Sequence, residues 1–448
     1  MKMNKWTVAL AAAGWVSLPS PARAEEKASA LQAALEGVTI SGYVDTSAQW
    51  NFGTGATTDP TKQGNGSALF GPANYPGYLY GGPSKADGFN LNKIKLTIEK
   101  PLDEGQWAAG YRADLLFGPD ANVFATSSSG VSTADFAIQQ AYVSLRAPLG
   151  NGLDFKMGVF NSIIGYESHD SVLDPNYTRS YAVGLEPHTH TGLLASYQFS
   201  DLFGASAGVA NTVGPGINDR ATSGSTGNSG TAQGQVFPVA AGTNPHVESF
   251  KTYMGSVRFT MPKDWGFIAG STVDAGVVSG YNRSAGGYGA GLVQSSYYVG
   301  GSFNTPLHWL RVGASYDYLS ISPQDTLSYT AYANALGGYF SIQASEKFSI
   351  HGRGEYLWYS AGTATDAQNG LVPAAEISNV PTRLIACTAT LQYDLWKNVL
   401  SRLEFRWDHQ ADGKGRVFGP TSALAGGSIT QGSLRNAYLL AANLIYKF

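Results

Sequence analysis

Acidic side chains cluster in one segment of this 448-residue chain. Residues 162–187 read SIIGYESHDSVLDPNYTRSYAVGLEP and mix apolar with charged residues, unlike the Gly- and Ser-rich stretch at 212–243. With its histidine neutral, the segment has four carboxylates and one arginine, a formal charge of −3. Such groups can orient ions and polar solutes. The candidate site residues of the segment are Glu167, His169, Asp170, Asp174, Arg179 and Glu186.

Basic side chains recur on what the apolar alternation predicts to be the polar faces of β-strands. An acidic segment opposite a basic wall would create a transverse field across a narrow aqueous passage. The alternative is mutual pairing of these charges, for example Arg353 with Glu355 or Arg402 with Glu404, and both roles can coexist. The predicted wall bases are Lys93, Lys95, Arg112, Arg146, Lys156, Arg258, Arg311, Arg353, Arg402 and Arg406.

Three histidines raise the question of a metal site. His188 and His190 are two residues apart, and with His169 and Asp170 they could in principle gather around an ion. Spacing alone is weak support, and the sequence has no HExxH motif. No GxSxG elbow or P-loop occupies a strand–turn–helix setting. The sequence therefore predicts a protein without catalytic residues, bound metal or cofactor.

The elements that carry these side chains alternate with a period of two. In 399–409, Leu403 and Phe405 alternate with Arg402, Glu404 and Arg406, so one face is apolar and the other is in contact with water. A soluble β-sandwich could also alternate, but its apolar face would have to pack on a second sheet. Strands with one lipid-facing and one aqueous face are typical of transmembrane β-barrels.

Short and long connections alternate between the predicted strands, as in outer-membrane barrels with short periplasmic turns and long extracellular loops. The seven short connections are 101–105, 148–152, 200–202, 262–265, 304–307, 345–346 and 395–398, and the eight long ones are 51–88, 118–133, 162–187, 214–248, 282–290, 320–335, 361–378 and 410–434. This count predicts an all-β, antiparallel transmembrane barrel of about 16 strands, with both termini in the periplasm and the third long connection folded into the lumen.

Composition agrees with a wall that is half exposed to lipid. Charged residues make up 14% of the chain, against about 25% in ordinary soluble domains, and no run of 18 apolar residues could form a membrane-spanning helix. Aromatic residues concentrate near predicted strand ends, where two interfacial girdles are expected. No clustered basic excess indicates nucleic acid. The single cysteine, Cys387, falls on an apolar face and is interpreted as a lipid-facing residue.

Both ends of the chain point to export. Residues 1–24 combine Lys2 and Lys5, an apolar stretch and Ala22-Arg23-Ala24, as in a cleaved signal peptide. Residues 25–37 are predicted to form a short periplasmic segment, and 38–448 the barrel. The last strand resembles the C-terminal assembly signal of bacterial outer-membrane proteins, which implies recognition by the barrel-assembly machinery; its residues are Leu440, Leu444, Tyr446 and Phe448.

Several local motifs resemble those of a known family. They are the opening strand 40–52, Gly165-Tyr166-Glu167, the run Asp174-Pro175-Asn176-Tyr177-Thr178-Arg179-Ser180, and Thr189-His190-Thr191-Gly192. The chain resembles the OmpL-like family of β-barrel porins over most of its length. The resemblance implies an outer-membrane channel and does not supply a solute.

The sequence thus predicts a passive diffusion channel for small hydrophilic solutes and ions, placed in a Gram-negative-type outer membrane among lipid and lipopolysaccharide. One alternative is a channel selective for sugars or anions, with a stacking track formed by Tyr43, Tyr142, Tyr166 or Tyr177. Another is an adhesin or anchor whose loops bind a partner. By analogy with barrels of this size, a homotrimer is a candidate assembly.

Overall fold

The computed structural model describes most of the predicted barrel. The described residues are 37–52, 87–103, 107–124, 135–218, 250–281, 293–322, 331–359, 383–413, 416, 418, 422–423, 430–431 and 434–448. The predicted signal peptide, residues 1–24, and all but the last residue of the predicted segment 25–37 lie outside them.

Eighteen strands are formed by the described residues. Their bounds are β1 Thr39–Phe52, β2 Gly88–Lys100, β3 Ala108–Phe117, β4 Phe136–Ala147, β5 Leu153–Asn161, β6 Thr189–Gln198, β7 Phe203–Ala210, β8 Thr252–Thr260, β9 Thr272–Tyr281, β10 Val293–Asn304, β11 Leu310–Ser322, β12 Ala331–Gln343, β13 Phe348–Tyr359, β14 Arg383–Trp396, β15 Val399–Gln410, β16 Ser422–Ala423, β17 Thr430–Gln431 and β18 Asn436–Lys447. One short helix, α1, spans Pro119–Phe124, and 3₁₀ turns occur at Ala182–Gly184 and Gly266–Ile268.

Sixteen of these strands close into one antiparallel barrel, while β16 and β17 form a separate two-stranded sheet. Neighbours in sequence pair throughout, and β18 pairs with both β15 and β1, so that Tyr43 of β1 lies opposite Lys447. Closure gives every barrel strand two partners, which removes the unpaired edges that a bilayer could not solvate. The predicted all-β, 16-strand architecture is confirmed.

The side-chain alternation of β15 shows which face of the wall is which. Leu403 and Phe405 are 46% and 45% exposed, whereas Arg402 and Arg406 are 4% and 0% exposed. A soluble protein buries its apolar side chains and exposes its charges. The opposite arrangement in a single closed sheet excludes the β-sandwich alternative. Cys387 is also exposed, on the outer face. Among the described residues, no helix has the length and apolar character needed to span a bilayer.

The short connections lie at one end of the barrel, and all but 148–152 differ in length from their predictions. The predicted turn 395–398 is only two residues long, because β14 continues to Trp396, and Asn398 takes the left-handed conformation at φ +67°. The connection after β8 is longer than 262–265, because the chain forms the 3₁₀ turn Gly266–Ile268 before β9 begins at Thr272.

Exposed tryptophans mark the short-turn end. Trp107, Trp265, Trp309 and Trp396 all lie next to short connections and are largely exposed. Trp50, Trp358 and Trp407 lie toward the other end of their strands. Amphipathic rings at these two heights suit the interfaces of a bilayer. The four residues of the predicted assembly signal all fall on the outer face of β18 or just beyond it; their recognition during assembly stays a prediction.

Candidate functional site

The connection between β5 and β6, residues 162–188, is described throughout, and we call it the third connection. Its two ends are joined by a hydrogen bond from the Ser162 N–H to the His188 carbonyl, at 2.9 Å. In the barrel order β14 lies eight strands from β6, on the opposite side of the wall. The Asn176 amide nevertheless donates to the Thr390 hydroxyl of β14, at 2.7 Å. The third connection therefore reaches strands across the barrel.

Apolar side chains of the third connection pack on the inward faces of distant strands. Tyr181, Ala182 and Leu185 belong to a buried cluster with residues of β11–β14 and β18, and Tyr177 and Val183 pack on β18. Many of the wall positions in these clusters are small. They are Ala333, Ala335, Ala386, Ala437 and Ala441. Small side chains on the inward face leave the volume that the two tyrosines fill.

Two arginines of the wall hold the third connection through a buried ion network. Arg353 pairs with Glu167 and with Glu355, both at 2.8 Å, and donates to the Thr178 carbonyl at 2.7 Å. The predicted Arg353–Glu355 pair is therefore present. Charges in such an interior need partners, since an unpaired buried ion costs several kcal/mol, of order 3–5 when one partner is removed.

Arg406 extends the network to the next part of the third connection. It pairs with Asp408 at 3.0 Å and donates to the Arg179 carbonyl at 2.6 Å. The Tyr181 hydroxyl donates to the same Asp408 carboxylate at 2.6 Å. Arg406 is fully buried, so its role here is to fix the backbone of the third connection.

Arg402 and Glu404 also bind the backbone of the third connection. Glu404 accepts the N–H groups of Tyr177 at 2.6 Å and Thr178 at 2.9 Å. Arg402 donates to the carbonyls of Ser171, at 3.0 Å, and Asp174. Sequence reasoning proposed Arg402 as a wall base and missed the role of Glu404. The missed signal was the row of charged residues on one face of β15, at Arg402, Glu404, Arg406 and Asp408. A face that only contacts water does not need a charge at every one of these positions.

Two lysines of β2 hold another part of the third connection. The Lys95 ammonium pairs with Asp170 at 2.5 Å and with Asp114 at 3.1 Å. The Lys93 ammonium donates to the His169 carbonyl at 3.1 Å. Within the third connection itself, Asp174 pairs with Arg179. Of the acidic residues predicted to face a basic wall, Glu167, Asp170 and Asp174 are therefore engaged in ion pairs, as in the alternative of mutual pairing.

Glycines of β9 and β11 leave room for the first part of the third connection. A Cβ at Gly276 would lie 2.7 Å from Ile164 Cγ2, and the Tyr166 ring lies against Gly313 in the same way. The Tyr166 hydroxyl is 2.9 Å from the Ser302 hydroxyl, and its ring stacks on Tyr339 at 4.2 Å between centroids. Side chains at these two glycines would push the third connection away from β9 and β11.

Burial shifts the pKa values of ionisable side chains in the third connection. Burial, together with the nearby carboxylates Asp317 and Glu167, raises the pKa of Glu186 well above its usual range. These surroundings favour the protonated form of Glu186 over its carboxylate. Burial lowers the pKa of His188 to about 4, and the His169 ring lies edge-on to it at 5.1 Å. No group of three His, Cys, Asp or Glu side chains among the described residues could hold a metal ion.

A second group of bases lies outside this contact region. We call it the basic sector: Arg112 of β3, Arg146 of β4, Lys156 of β5 and Arg258 of β8. Its arginines have acidic partners, with Arg112 held by Glu99 and Asp114, Arg146 by Asp154, and Arg258 by Asp274. They are more accessible than Arg353 and Arg406, since Arg112 is 27% and Arg258 68% exposed. The predicted wall bases thus divide into a buried group and an accessible group.

Solved structures with the same fold come from several bacteria. The anion-selective porin from Comamonas acidovorans aligns with a TM-score of 0.56 at 11% identity, over 92% of this chain and 99% of that one. The outer membrane channel DcaP of Acinetobacter baumannii gives 0.51 at 10% identity, over 92% and 97%. The in-vitro folded trimer form of OmpT of Vibrio cholerae gives 0.50 at 10% identity, over 92% and 99%. At these identities the likeness concerns the fold alone.

The sequence comparisons place the chain in a family. Among curated proteins the search found no match. A family model described as "Putative beta-barrel porin-2, OmpL-like" matches residues 37–448, which include all of the described barrel. Because that match covers most of the chain, and because the chain closes into a 16-strand barrel with an apolar outer face, the protein belongs to this OmpL-like family of β-barrel porins and is an outer-membrane protein.

Proposed function

We propose that this protein is a passive diffusion channel for small hydrophilic solutes and ions across the outer membrane, without catalytic activity. The observation that carries the proposal is the closed 16-strand wall, whose inward side chains are polar and charged while its outward ones are apolar. A barrel of this strand number encloses more space than its own side chains fill. A signal peptide at residues 1–24 and export to a Gram-negative-type outer membrane are part of the same proposal.

The third connection is proposed to narrow the lumen. Its support is a set of contacts with strands on both sides of β5 and β6 and across from them: Asp170 with Lys95 of β2, Tyr166 with Tyr339 of β12 and Ser302 of β10, and Asn176 with Thr390 of β14. A segment that contacts inward-facing side chains on all these strands has to cross the interior. The candidate site residues of the third connection would then set the width of the passage rather than its charge, because Glu167, Asp170 and Asp174 are already paired and Glu186 is buried.

Conductance tests the channel directly. Protein purified and refolded in detergent is added to a planar bilayer, and its folding is checked by circular dichroism. Steady open steps, together with swelling of liposomes in small sugars and no swelling in large ones, are the expected result. Folded protein that inserts without any conductance would contradict the channel and favour the adhesin or anchor, whose long connections are largely outside the described residues.

A weak preference for anions is a second candidate function. Lys156 and Arg311 are inward-facing bases that form no ion pair with any described residue, whereas the arginines of the basic sector are paired. Uncompensated positive charge along a water-filled passage favours anions. The reversal potential under a KCl gradient should therefore have the sign of an anion-preferring channel. The double variant Lys156→Gln, Arg311→Gln should move it toward zero, while Lys156→Arg, Arg311→Lys should not.

A homotrimer is proposed as the assembly. Its support is the fold shared with the trimer form of OmpT of Vibrio cholerae. Mass measurement of the protein in native detergent micelles tests this proposal, and a uniform monomer would contradict it.

A further inference from the structure

Lys156 stands apart within the basic sector. Its side chain faces inward and is partly buried, yet it forms no ion pair with any residue that the structure describes. The contact of its ammonium group is with the Tyr142 ring, 4.9 Å from the ring centroid. A cation over an aromatic face gains about 0.5–2 kcal/mol, less than a carboxylate partner provides in such surroundings.

Two carboxylates near Lys156 and Tyr142 are committed to other groups. Asp154 is bound by both ends of the Arg146 guanidinium, at 2.6 and 2.7 Å. Asp114 accepts hydrogen bonds from Arg112 and from Gln140, Thr97 and Lys95. Neither can turn to Lys156 without leaving another charge unpaired. The positive charge of Lys156 is therefore available to a group that arrives from the lumen.

Two glycines of the wall lie beside Tyr142. In the strand register Tyr142 lies opposite Gly158 of β5, which in turn lies opposite Gly192 of β6. Gly158 adopts φ +136°, a conformation that disfavours a side chain. Two neighbouring strands thus carry no side chain next to the aromatic ring, and we call this part of the wall the glycine surface. On its short-turn side, Ser144 is paired in register with Lys156.

The glycine surface lies near the first residues of the third connection. Tyr142 packs against the cluster that contains Phe160, Leu194 and Ile164 of the third connection. Lys156 precedes Phe160 by four residues, about 13 Å along the strand at roughly 3.3 Å per residue. A solute that passes the third connection therefore meets Tyr142 and Lys156 next.

We propose that Lys156 and Tyr142 form a transient binding site for small carboxylates with a flat apolar body, the carboxylate pairing with the Lys156 ammonium and the body lying on the glycine surface beside the Tyr142 ring. The proposal rests on the channel function and names a solute class for it. Binding has to be weak, since a solute held too tightly would not leave a conducting passage.

Benzoate is the probe, and acetate is the matched anion without a ring. In planar bilayers, millimolar benzoate should reduce the KCl current of the wild-type channel in a saturable way, and acetate should need several-fold higher concentrations. Lys156→Gln should raise the half-blocking benzoate concentration about tenfold, equivalent to about 1.4 kcal/mol, and Lys156→Arg should restore most of the block. Tyr142→Leu should bring benzoate to the level of acetate.

Arg258→Gln is the charge-matched control, because it also removes one positive charge from the inward face but lies on β8, away from the glycine surface. Equal loss of block in Arg258→Gln and Lys156→Gln would overturn the site and leave a general field effect. Equal block by acetate and benzoate would also overturn it.

A direct binding measurement distinguishes failure of the Lys156 site from failure of the proposed channel function. Saturation-transfer NMR with benzoate and the folded, detergent-solubilised protein requires no conductance. Lys156-dependent transfer in a protein that never conducts would contradict the channel and keep the site. Steady conductance with no benzoate transfer to wild type would contradict the site and keep the channel.

Discussion

Two regions of the barrel wall have the same types of charged residue in different surroundings. On β13 and β15, Arg353 and Arg406 are buried under the third connection, and each pairs with carboxylates and with backbone carbonyls. In the basic sector, Arg112 and Arg258 pair with carboxylates at the lumen surface and stay partly exposed. Interaction strength follows the local dielectric, so a buried pair strongly affects stability and an exposed pair hardly does. An inward-facing charge in this barrel therefore either stabilises the third connection or stays accessible on the inner face, according to what covers it.

Loss of a buried arginine is expected to have the largest effect. Arg406→Met leaves the Asp408 carboxylate without its cation, Glu355 with Arg353 alone, and the Arg179 carbonyl without its donor. Removal of one partner of a buried pair costs about 3–5 kcal/mol. Urea unfolding followed by tryptophan fluorescence, and the current noise of single channels, should both show a loosened third connection. Arg258→Met should change unfolding by less than about 1 kcal/mol; an equal loss in the two variants would erase the distinction between the regions.

Packing under the third connection gives the next largest effect. Ala386 lies beneath Tyr181 in a fully buried cluster, whereas Ala389, on the same strand, is exposed on the outer face. Ala386→Leu should therefore destabilise the protein by about 1–3 kcal/mol through overpacking and change the single-channel conductance. Ala389→Leu adds the same atoms toward lipid and serves as the control. A similar cost in both variants would show that Ala386 does not need to be small.

The pH dependence of the third connection is predicted from Glu186. Because its pKa in the folded protein lies above that of the unfolded chain, its contribution to stability is complete at acidic pH and declines as pH rises through the folded value. The thermal midpoint of the wild type should therefore fall as the pH rises above about 4, the ordinary pKa of a glutamate. Glu186→Gln imitates the protonated form, so its midpoint should fall less over the same range. Parallel curves for the two proteins would contradict a raised pKa of Glu186.

The smallest effect is expected in the basic sector. Arg258→Gln removes a charge that is 68% exposed and leaves Asp274 facing the lumen. Salt screens such a charge over about 8–10 Å, so the reversal potential should move slightly toward cations, and most clearly at low ionic strength. Conductance and thermal midpoint should stay near those of the wild type. A shift that persists at 1 M salt would mean that Arg258 lies at the narrowest point of the passage.

Much of the wall was predictable because the alternation of side chains along a strand indicates which face contacts lipid and which faces inward. In β15 the residues Leu403 and Phe405 already indicate the lipid face, and Arg402 and Arg406 the inner one. Closure followed from the count of turns and connections. Less predictable were exact turn lengths, since β14 continues through a register shift between Asp394 and Trp396. The sequence also identified the third connection as unusual, and named most of its charged residues.

The partners of those charged residues were not predictable. Glu167 reaches Arg353, 186 positions later in the chain, and Tyr181 reaches Asp408, 227 positions later. No local pattern relates residues at such separations. Ala386 and Ala441 looked like ordinary strand residues, and their small size has a reason only once Tyr181 and Tyr177 lie against their clusters.

The sequence by itself determined that alternate side chains face lipid and water, because this depends only on the two-residue period of a strand and on the bilayer as solvent. Tertiary structure decided which inward charges stay in contact with water. The third connection covers Arg353 and Arg406 and leaves Arg112, Lys156 and Arg258 accessible. That division arises from long-range packing, which sets the local dielectric around each charge and so decides whether the charge is buried in an ion network or stays accessible.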